Sequence, residues 1–249
     1  MIKRLAYIFG DSVMRGIVFE PKEAKYQYTN NGNYEAFSEE FDFELVNRSR
    51  FGSTIQKGIE TVKQSVEKNP DMTFAILEFG GNDCDFYWQE IAEAPLEHHE
   101  PKTPLPLFIK LYKELIAYLR SKNVLPIMMN LPPVDGDRYL EFLVSKGLSR
   151  EALLTNLKTP NQISRFQELY SINIERIAHE TNTPLVDCRS AFLERHDIRE
   201  TICDDGIHPT TKGHSMIYQS FVDFMHKLPQ ELRDLIVKDP KPLLLNGEA

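Results

Sequence analysis

Five short, mainly apolar runs separated by longer amphipathic stretches constrain this chain more than any other feature of its sequence. The runs are Leu5 to Phe9, Phe43 to Val46, Phe74 to Phe79, Leu125 to Met129 and Leu185 to Val186. Near-continuous rather than alternating apolarity is what a parallel sheet covered on both faces demands of its strands. The intervening stretches carry the helical period. Ile55, Ile59, Val62 and Val66 fall on one face, as do Phe108, Leu111, Leu115 and Leu119. Phe166, Tyr170, Ile174 and Ile177 mark a third helix, and Ile217, Phe221 and Phe224 a fourth. Ser53 and Gln56 have the spacing of a capping box at the start of the first of these helices. Strand–helix alternation of this kind predicts right-handed crossovers and a doubly wound α/β sheet.

A chain of 249 residues can bury one substantial core, and one domain over residues 1–249 is expected. Two segments depart from the alternation. Residues 84–106 are rich in Pro, Glu and His, and residues 132–160 hold a Pro-Pro turn, Asp135-Gly136-Asp137 and a short helical pattern from Tyr139 to Ser145. Both follow strands, so both are expected as insertions on the rim where open α/β sheets bind ligands, with plain surface decoration as the alternative. Beyond Pro229 the pattern predicts a short helix over Gln230 to Val237.

A formal net charge of −8 with no basic stripe argues against a nucleic-acid partner. The apolar run at Leu5 to Phe9 is shorter than the roughly 7–15 residues of a secretory h-region. No run approaches the ~20 apolar residues of a membrane span, and no membrane-docking amphipathic segment stands out, so no membrane partner is expected. The three cysteines, Cys84, Cys188 and Cys203, form no C-x-x-C pair, which fits reduced thiols and a cytoplasmic setting.

Four places carry residues suited to chemistry. Gly10-Asp11-Ser12 follows the first strand, where a serine entering a turn into a helix would present its hydroxyl to the crevice and its N–H to an anion. A simple N-cap is the competing reading of that tripeptide. Gly52 follows the second strand. Gly80-Gly81-Asn82-Asp83 follows the third, and an asparagine there can aim its amide at an oxyanion, although the composition also suits a turn. Asp205-Gly206-Ile207-His208-Pro209 places a carboxylate three residues before an imidazole, across a glycine-containing turn. Such a carboxylate can fix the tautomer of a histidine that deprotonates a serine. In a doubly wound sheet these positions share one end, and Ser12 and Asn82 follow the two strands that usually flank the crevice.

This set of motifs resembles the SGNH hydrolases, also called the GDSL esterase and lipase family. Gly10-Asp11-Ser12, Gly52, Gly80-Gly81-Asn82-Asp83 and Asp205-Gly206-Ile207-His208 match the family's four blocks in order, across nearly the whole chain. Val13 stands where many members carry leucine. The resemblance implies a flavodoxin-like three-layer α/β/α sandwich around a five-stranded parallel sheet. It further implies carboxylic-ester hydrolysis without a cofactor or metal, with Ser12, Asp205 and His208 catalytic and Ser12, Gly52 and Asn82 forming the oxyanion hole. No G-x-S-x-G pentapeptide of the α/β-hydrolase type occurs.

Val13, Cys84, Phe86, Trp88, Pro132 and Ile207 lie beside these motifs or in the segments that follow strands, and are expected to line the substrate site. Phe86, Tyr87 and Trp88 could stack on a sugar ring or border an acyl slot. Acidic residues Asp83, Asp85, Glu90, Glu93, Glu97 and Glu100 disfavour strongly anionic substrates. A short-chain acyl ester is expected, such as an O-acetyl group on a carbohydrate. The alternatives are a lysophospholipase, a thioesterase or a non-catalytic carbohydrate- or ligand-binding protein. His98-His99-Glu100 reads as a solvated loop rather than a metal site, His214 as structural, Cys84 as wall or core, and Asp11 as a residue that holds its turn.

Overall fold

The strands form where the apolar runs lie because each must bury side chains on two faces at once. A computed structural model describes residues 4–29 and 34–228, so the helix expected over Gln230 to Val237 lies outside the described residues. Strand β1 (Arg4–Phe9) sends Tyr7 and Phe9 into one apolar layer and Ala6 and Ile8 into the other. With β4 (Phe43–Asn47), β5 (Met72–Leu77), β6 (Leu125–Met129) and β7 (Leu185–Val186) it makes a five-stranded parallel sheet in the order β4-β1-β5-β6-β7. The chain runs from β1 to one edge and then returns past it, so the order reverses between β1 and β5. That reversal opens a crevice at the carboxyl ends of those two strands.

Helices α2 (Ile55–Lys68), α4 (Leu105–Ser121) and α7 (Asn161–Glu180) supply the layer on the face of Tyr7 and Phe9. On the other face, Phe37 of α1 (Tyr34–Glu40), Phe192 of α8 (Arg189–Leu193), and Ile217 and Phe221 of α9 (Thr211–Lys227) complete the sandwich. This is the three-layer flavodoxin-like architecture.

Two local features differ from the sequence-based expectations. The chain after β1 does not enter a helix. It makes one tight turn and then the hairpin of β2 (Ile17–Glu20) and β3 (Lys25–Tyr28), which lacks a continuous apolar run to announce it. The start of α2 is not held by a capping box, because Ser53 and Gln56 make no such bonds and the N-cap is Thr54 without a side-chain bond. The buried carboxylate of Asp83 takes that place, accepting the Ile55 N–H at 3.0 and 3.1 Å. The cap comes from 28 residues further along the chain, beyond β5, where no local pattern could reveal it.

The two long segments carry helices of their own. Residues 84–106 contain α3 (Trp88–Glu93), and residues 132–160 contain α5 (Gly136–Ser145) and α6 (Arg150–Leu157). They share a small apolar core of their own. Phe86, Trp88 and Ile91 from the first pack with Tyr139, Leu140, Leu143, Leu153 and Leu157 from the second, and with Ile163 of α7. This lobe stands over the rim beside the crevice.

Candidate active site

Ser12 occupies the turn that leaves β1, His208 the loop before α9, and the two meet across 196 residues of sequence. The His208 Nε2 lies 2.9 Å from the Ser12 hydroxyl, and its Nδ1 lies 2.5 Å from Oδ2 of Asp205. All three side chains are buried. The other Asp205 oxygen accepts the backbone N–H groups of Ile207 and His208 at 3.2 and 3.1 Å. A carboxylate so held has one free direction left, toward the imidazole. It therefore fixes the tautomer with hydrogen on Nδ1 and a lone pair on Nε2 facing the hydroxyl.

The loop takes this shape because Gly206 sits at φ +78°, with a Cβ at that point falling 2.4 Å from the Tyr139 nitrogen. Only glycine meets both demands. The Gly206 carbonyl accepts the Asp135 N–H at 2.8 Å, and Arg138 Nη1 donates to the carbonyls of Arg199 (3.1 Å) and Ile202 (2.6 Å). The lobe thus fastens the loop that carries the histidine.

Asp11 accepts the Val13 N–H on Oδ1 at 2.8 Å and the Asn82 amide on Oδ2 at 2.8 Å. The turn and the asparagine are joined by one carboxylate. Asn82 retains a second amide hydrogen, and the Ser12 and Gly52 N–H groups have no hydrogen-bond partner among the described residues. Gly52 adopts φ +68°, a conformation that turns the following backbone sharply at low cost for glycine alone. Uncommitted donors beside a hydroxyl–imidazole pair are the equipment for stabilising an oxyanion.

Ser12, Gly52, Asn82 and His208 line one cleft of about 480 Å³, within the roughly 300–1,000 Å³ of small-molecule sites. Val13, Cys84, Phe86, Trp88, Pro132 and Ile207 line it as well. Several lining residues escaped the sequence reading. Tyr26 of β3 packs on the His208 ring with centroids 5.0 Å apart, and Phe51 stacks on it at 5.8 Å and 18°. Burial beside Asp205 and Cys203 pushes the Tyr26 phenol up to about 12. Tyr139 and Phe142 extend the wall from the lobe, and Phe166 extends it from α7. Phe51 had a signal in its place beside Gly52; Tyr26 had none.

Glu78 is the other omission. It is fully buried beside Asp11 and also borders the cleft. An acidic residue inside the apolar run from Phe74 to Phe79 is an anomaly the sequence displays. Burial, with the Asp11 charge next to it, raises its pKa well above the usual carboxylate range. Burial also raises Asp11, against the Val13 N–H bond and the nearby His208. Burial lifts Asp83 to about 6.

The remaining candidates sort by their contacts. Cys84 is buried with its Sγ 3.2 Å from the Gly81 carbonyl, and burial raises its pKa far from reactive values. His98 pairs with Glu100 at an exposed site, and His99 Nε2 lies 2.8 Å from the Ala94 carbonyl. His214 is buried with Nε2 2.9 Å from the Ile17 carbonyl, anchoring the hairpin.

The sequence profile of the GDSL-like lipase/acylhydrolase family matches residues 8–216. The chain belongs to that family. An isoamyl acetate-hydrolyzing esterase from Saccharomyces cerevisiae is 22% identical to it over 181 residues, which are 72% of this chain and 67% of the yeast protein. Among solved structures, a lipase/acylhydrolase from Enterococcus faecalis superposes with a TM-score of 0.62 at 16% identity, covering 92% of this chain and 95% of the other. A catalytic mutant of an acetylxylan esterase from Geobacillus stearothermophilus gives 0.61 at 17% identity, covering 90% and 94%. These two likenesses speak to the fold. Among the described residues, no helix of this GDSL-family chain is long and apolar enough to cross a membrane.

Proposed function

We propose that this GDSL-family protein hydrolyses carboxylic esters through an acyl-enzyme on Ser12. The observation that carries the reading is the bonded series from Asp205 through His208 to the Ser12 hydroxyl, at 2.5 and 2.9 Å, beside three uncommitted N–H donors. His208 Nε2 takes the Ser12 proton as the oxygen attacks the acyl carbon. The carbonyl electrons move onto oxygen, where the Ser12 and Gly52 N–H groups and the Asn82 amide receive them. His208 then returns its proton to the departing alcohol, and water repeats the path to release the acid. Positive charge on the imidazole in transit faces the Asp205 carboxylate and the π-systems of Tyr26 and Phe51, all of which favour it.

The cleft favours a small ester with an apolar arm. Its polar side chains are largely bonded to one another. Asp85 accepts from Trp88 Nε1 (2.7 Å), Tyr139 hydroxyl (3.2 Å) and Lys102 Nζ (2.7 Å), while Gln167 donates to the Pro132 carbonyl and accepts from Arg189. A sugar needs free donors and acceptors; an alkyl group needs only the wall. The name of the yeast relative, an ester of acetate with a branched apolar alcohol, agrees with this. Removal of acetyl groups from a carbohydrate is the second reading. It rests on Tyr87, which is 56% exposed, whereas the stacking partners Phe86 and Trp88 are turned into the lobe core at 6% and 8%.

A cytoplasmic setting, and one domain in which residues 84–106 and 132–160 are insertions, complete the proposal. Labelling by a fluorophosphonate probe, and its loss in Ser12→Ala, tests the nucleophile and separates hydrolysis from ligand binding alone. A panel of p-nitrophenyl esters of rising chain length beside acetylated xylo-oligosaccharides tests the substrate. Labelling that survives in Ser12→Ala would end the assignment.

A further inference from the structure

Behind the oxyanion donors lies a pair of acids that the reaction above does not use. Asp11 and Glu78 are 2% and 0% exposed, at the ends of adjacent strands β1 and β5. The Asp11 N–H donates to Glu78 Oε2 at 3.1 Å, so the two acids meet at one buried point. Gly10 makes this approach feasible, since a Cβ there would stand 2.7 Å from Glu78 Oε2. The two acids are not equivalent. Asp11 accepts two N–H bonds, from Val13 and Asn82, and feels the His208 imidazole. Glu78 accepts one, and its Oε1 is buried with no acceptor role filled.

Two carboxylates in contact away from water cannot both be ionised, and the one with more hydrogen-bond donors keeps the charge. The Asp11 and Asp83 charges oppose a second negative charge on Glu78, while the Tyr112 phenol and Cys188 thiol near it are held in their neutral forms. A carboxylic acid has one donor to give, and the Asp11 carboxylate is the acceptor beside it.

We infer that Glu78 is a positioning residue: as a protonated acid it shares its hydrogen with the Asp11 carboxylate, which holds Asn82 in register for the oxyanion. This rests on the hydrolase reading. The Asp11 charge grips the Asn82 amide and so orients its second N–H, but the same charge opposes an oxyanion forming nearby. A hydrogen bond from Glu78 draws that charge away from the cleft while keeping the grip. Loss of the Glu78 proton would place a second negative charge behind the oxyanion and weaken the transition state.

Three measurements on the full chain test it together. Infrared spectra at neutral pH should contain the carbonyl stretch of a buried protonated carboxylic acid that is missing in Glu78→Gln. With p-nitrophenyl acetate, Glu78→Leu should lower kcat by about 10- to 100-fold, less than outright loss of an oxyanion donor, with KM little changed. Glu78→Gln, whose amide can still donate to Asp11, should recover most of that loss. In an Asn82→Ala background, Glu78→Leu should cost less than about threefold, because the residue it positions is gone. Full additivity of the two substitutions, a Glu78→Gln variant as poor as Glu78→Leu, or no infrared band would each overturn the inference. A wild-type protein that resists fluorophosphonate and cleaves no ester overturns the hydrolase reading instead, and the infrared band still decides whether the acid pair holds a proton.

Discussion

The cleft has two sides built on different physics. On one side, the turns after β1, β4 and β5 and the loop before α9 bring Ser12, Gly52, Asn82 and His208 together through short, directional hydrogen bonds. On the other, the lobe of α3, α5 and α6 presents Phe86, Tyr139 and Phe142 beside Phe166 of α7 through ring packing, such as Phe86 on Phe166 with centroids 5.1 Å apart. Directional bonds fail abruptly when an atom is removed, whereas apolar contacts degrade in proportion to the area lost. The first side should therefore decide whether the reaction runs, and the second which ester it runs on. The two are joined where Arg138 and Asp135 tie α5 to the His208 loop.

The largest expected effect is on the first side. Ser12→Ala should lower kcat by at least about 10⁴-fold, leaving whatever the donors and binding alone provide. Its circular dichroism should match wild type, because the hydroxyl it removes contacts only His208 among the bonds described. Retained turnover would dissolve the distinction between the two sides. Asn82→Ala comes next. Loss of one oxyanion donor should cost about 10²–10³ in kcat with KM nearly constant, and a KM effect instead would move Asn82 to substrate binding.

The first side is also the legible one. Its residues sit in short motifs, because a turn must be made by neighbours and turns dictate residue type. Asp205, Gly206 and His208 lie within four residues of one another, and a glycine in the left-handed region marks the spot. The strands of the sheet were equally readable, since each buried strand needs its own apolar run. What sequence could not convey is what distant segments do to each other. The Asp83 cap on α2, the Tyr26 ring on His208 and the shared core of the two long segments depend on packing among residues tens of positions apart. The hairpin carrying Tyr26 has a mostly exposed β3 and so lacks the apolar pattern that exposed the sheet strands.

That hairpin furnishes the third prediction, which asks whether the first side depends on an anchor remote from its motifs. Burial pushes the His214 imidazole down to about 4, with His208 adding to the effect, while its neutral Nε2–H serves the Ile17 carbonyl. A folded-state value below the unfolded ~6.5 means that the unfolded chain binds the extra proton, so stability is full above pH 6.5 and is lost as pH falls toward 4. The loss is on the order of 3 kcal/mol. Asp83, raised to about 6, acts oppositely and loses its stabilising contribution as pH rises from its unfolded value of ~4. Denaturant unfolding of wild type and His214→Gln at pH 7, 5.5 and 4.5 isolates the histidine, since Gln can donate to Ile17 without titrating. The variant should lose less stability than wild type on acidification. Parallel curves would mean that His214 takes up its proton in the folded state and that the hairpin is held by other contacts.

The smallest expected effect tests the second side. Phe166 is the residue to change, because it is only part-buried, while removing fully packed Phe86 would leave a cavity costing about 3–5 kcal/mol and loosen the lobe. Phe166→Ala widens the wall without touching a hydrogen bond of the Ser12 side. The ratio of kcat/KM for a hexanoyl to an acetyl p-nitrophenyl ester should rise about tenfold, the scale of a few buried methylenes meeting new space. The rate of fluorophosphonate labelling at Ser12 should stay within about twofold, since the oxyanion donors and the imidazole keep their places. An equal change for both esters would mean that the substrate does not reach this wall. A fall in labelling would mean that the lobe governs reactivity through the Asp135 and Arg138 ties, and the two sides of the cleft would then be one mechanical unit.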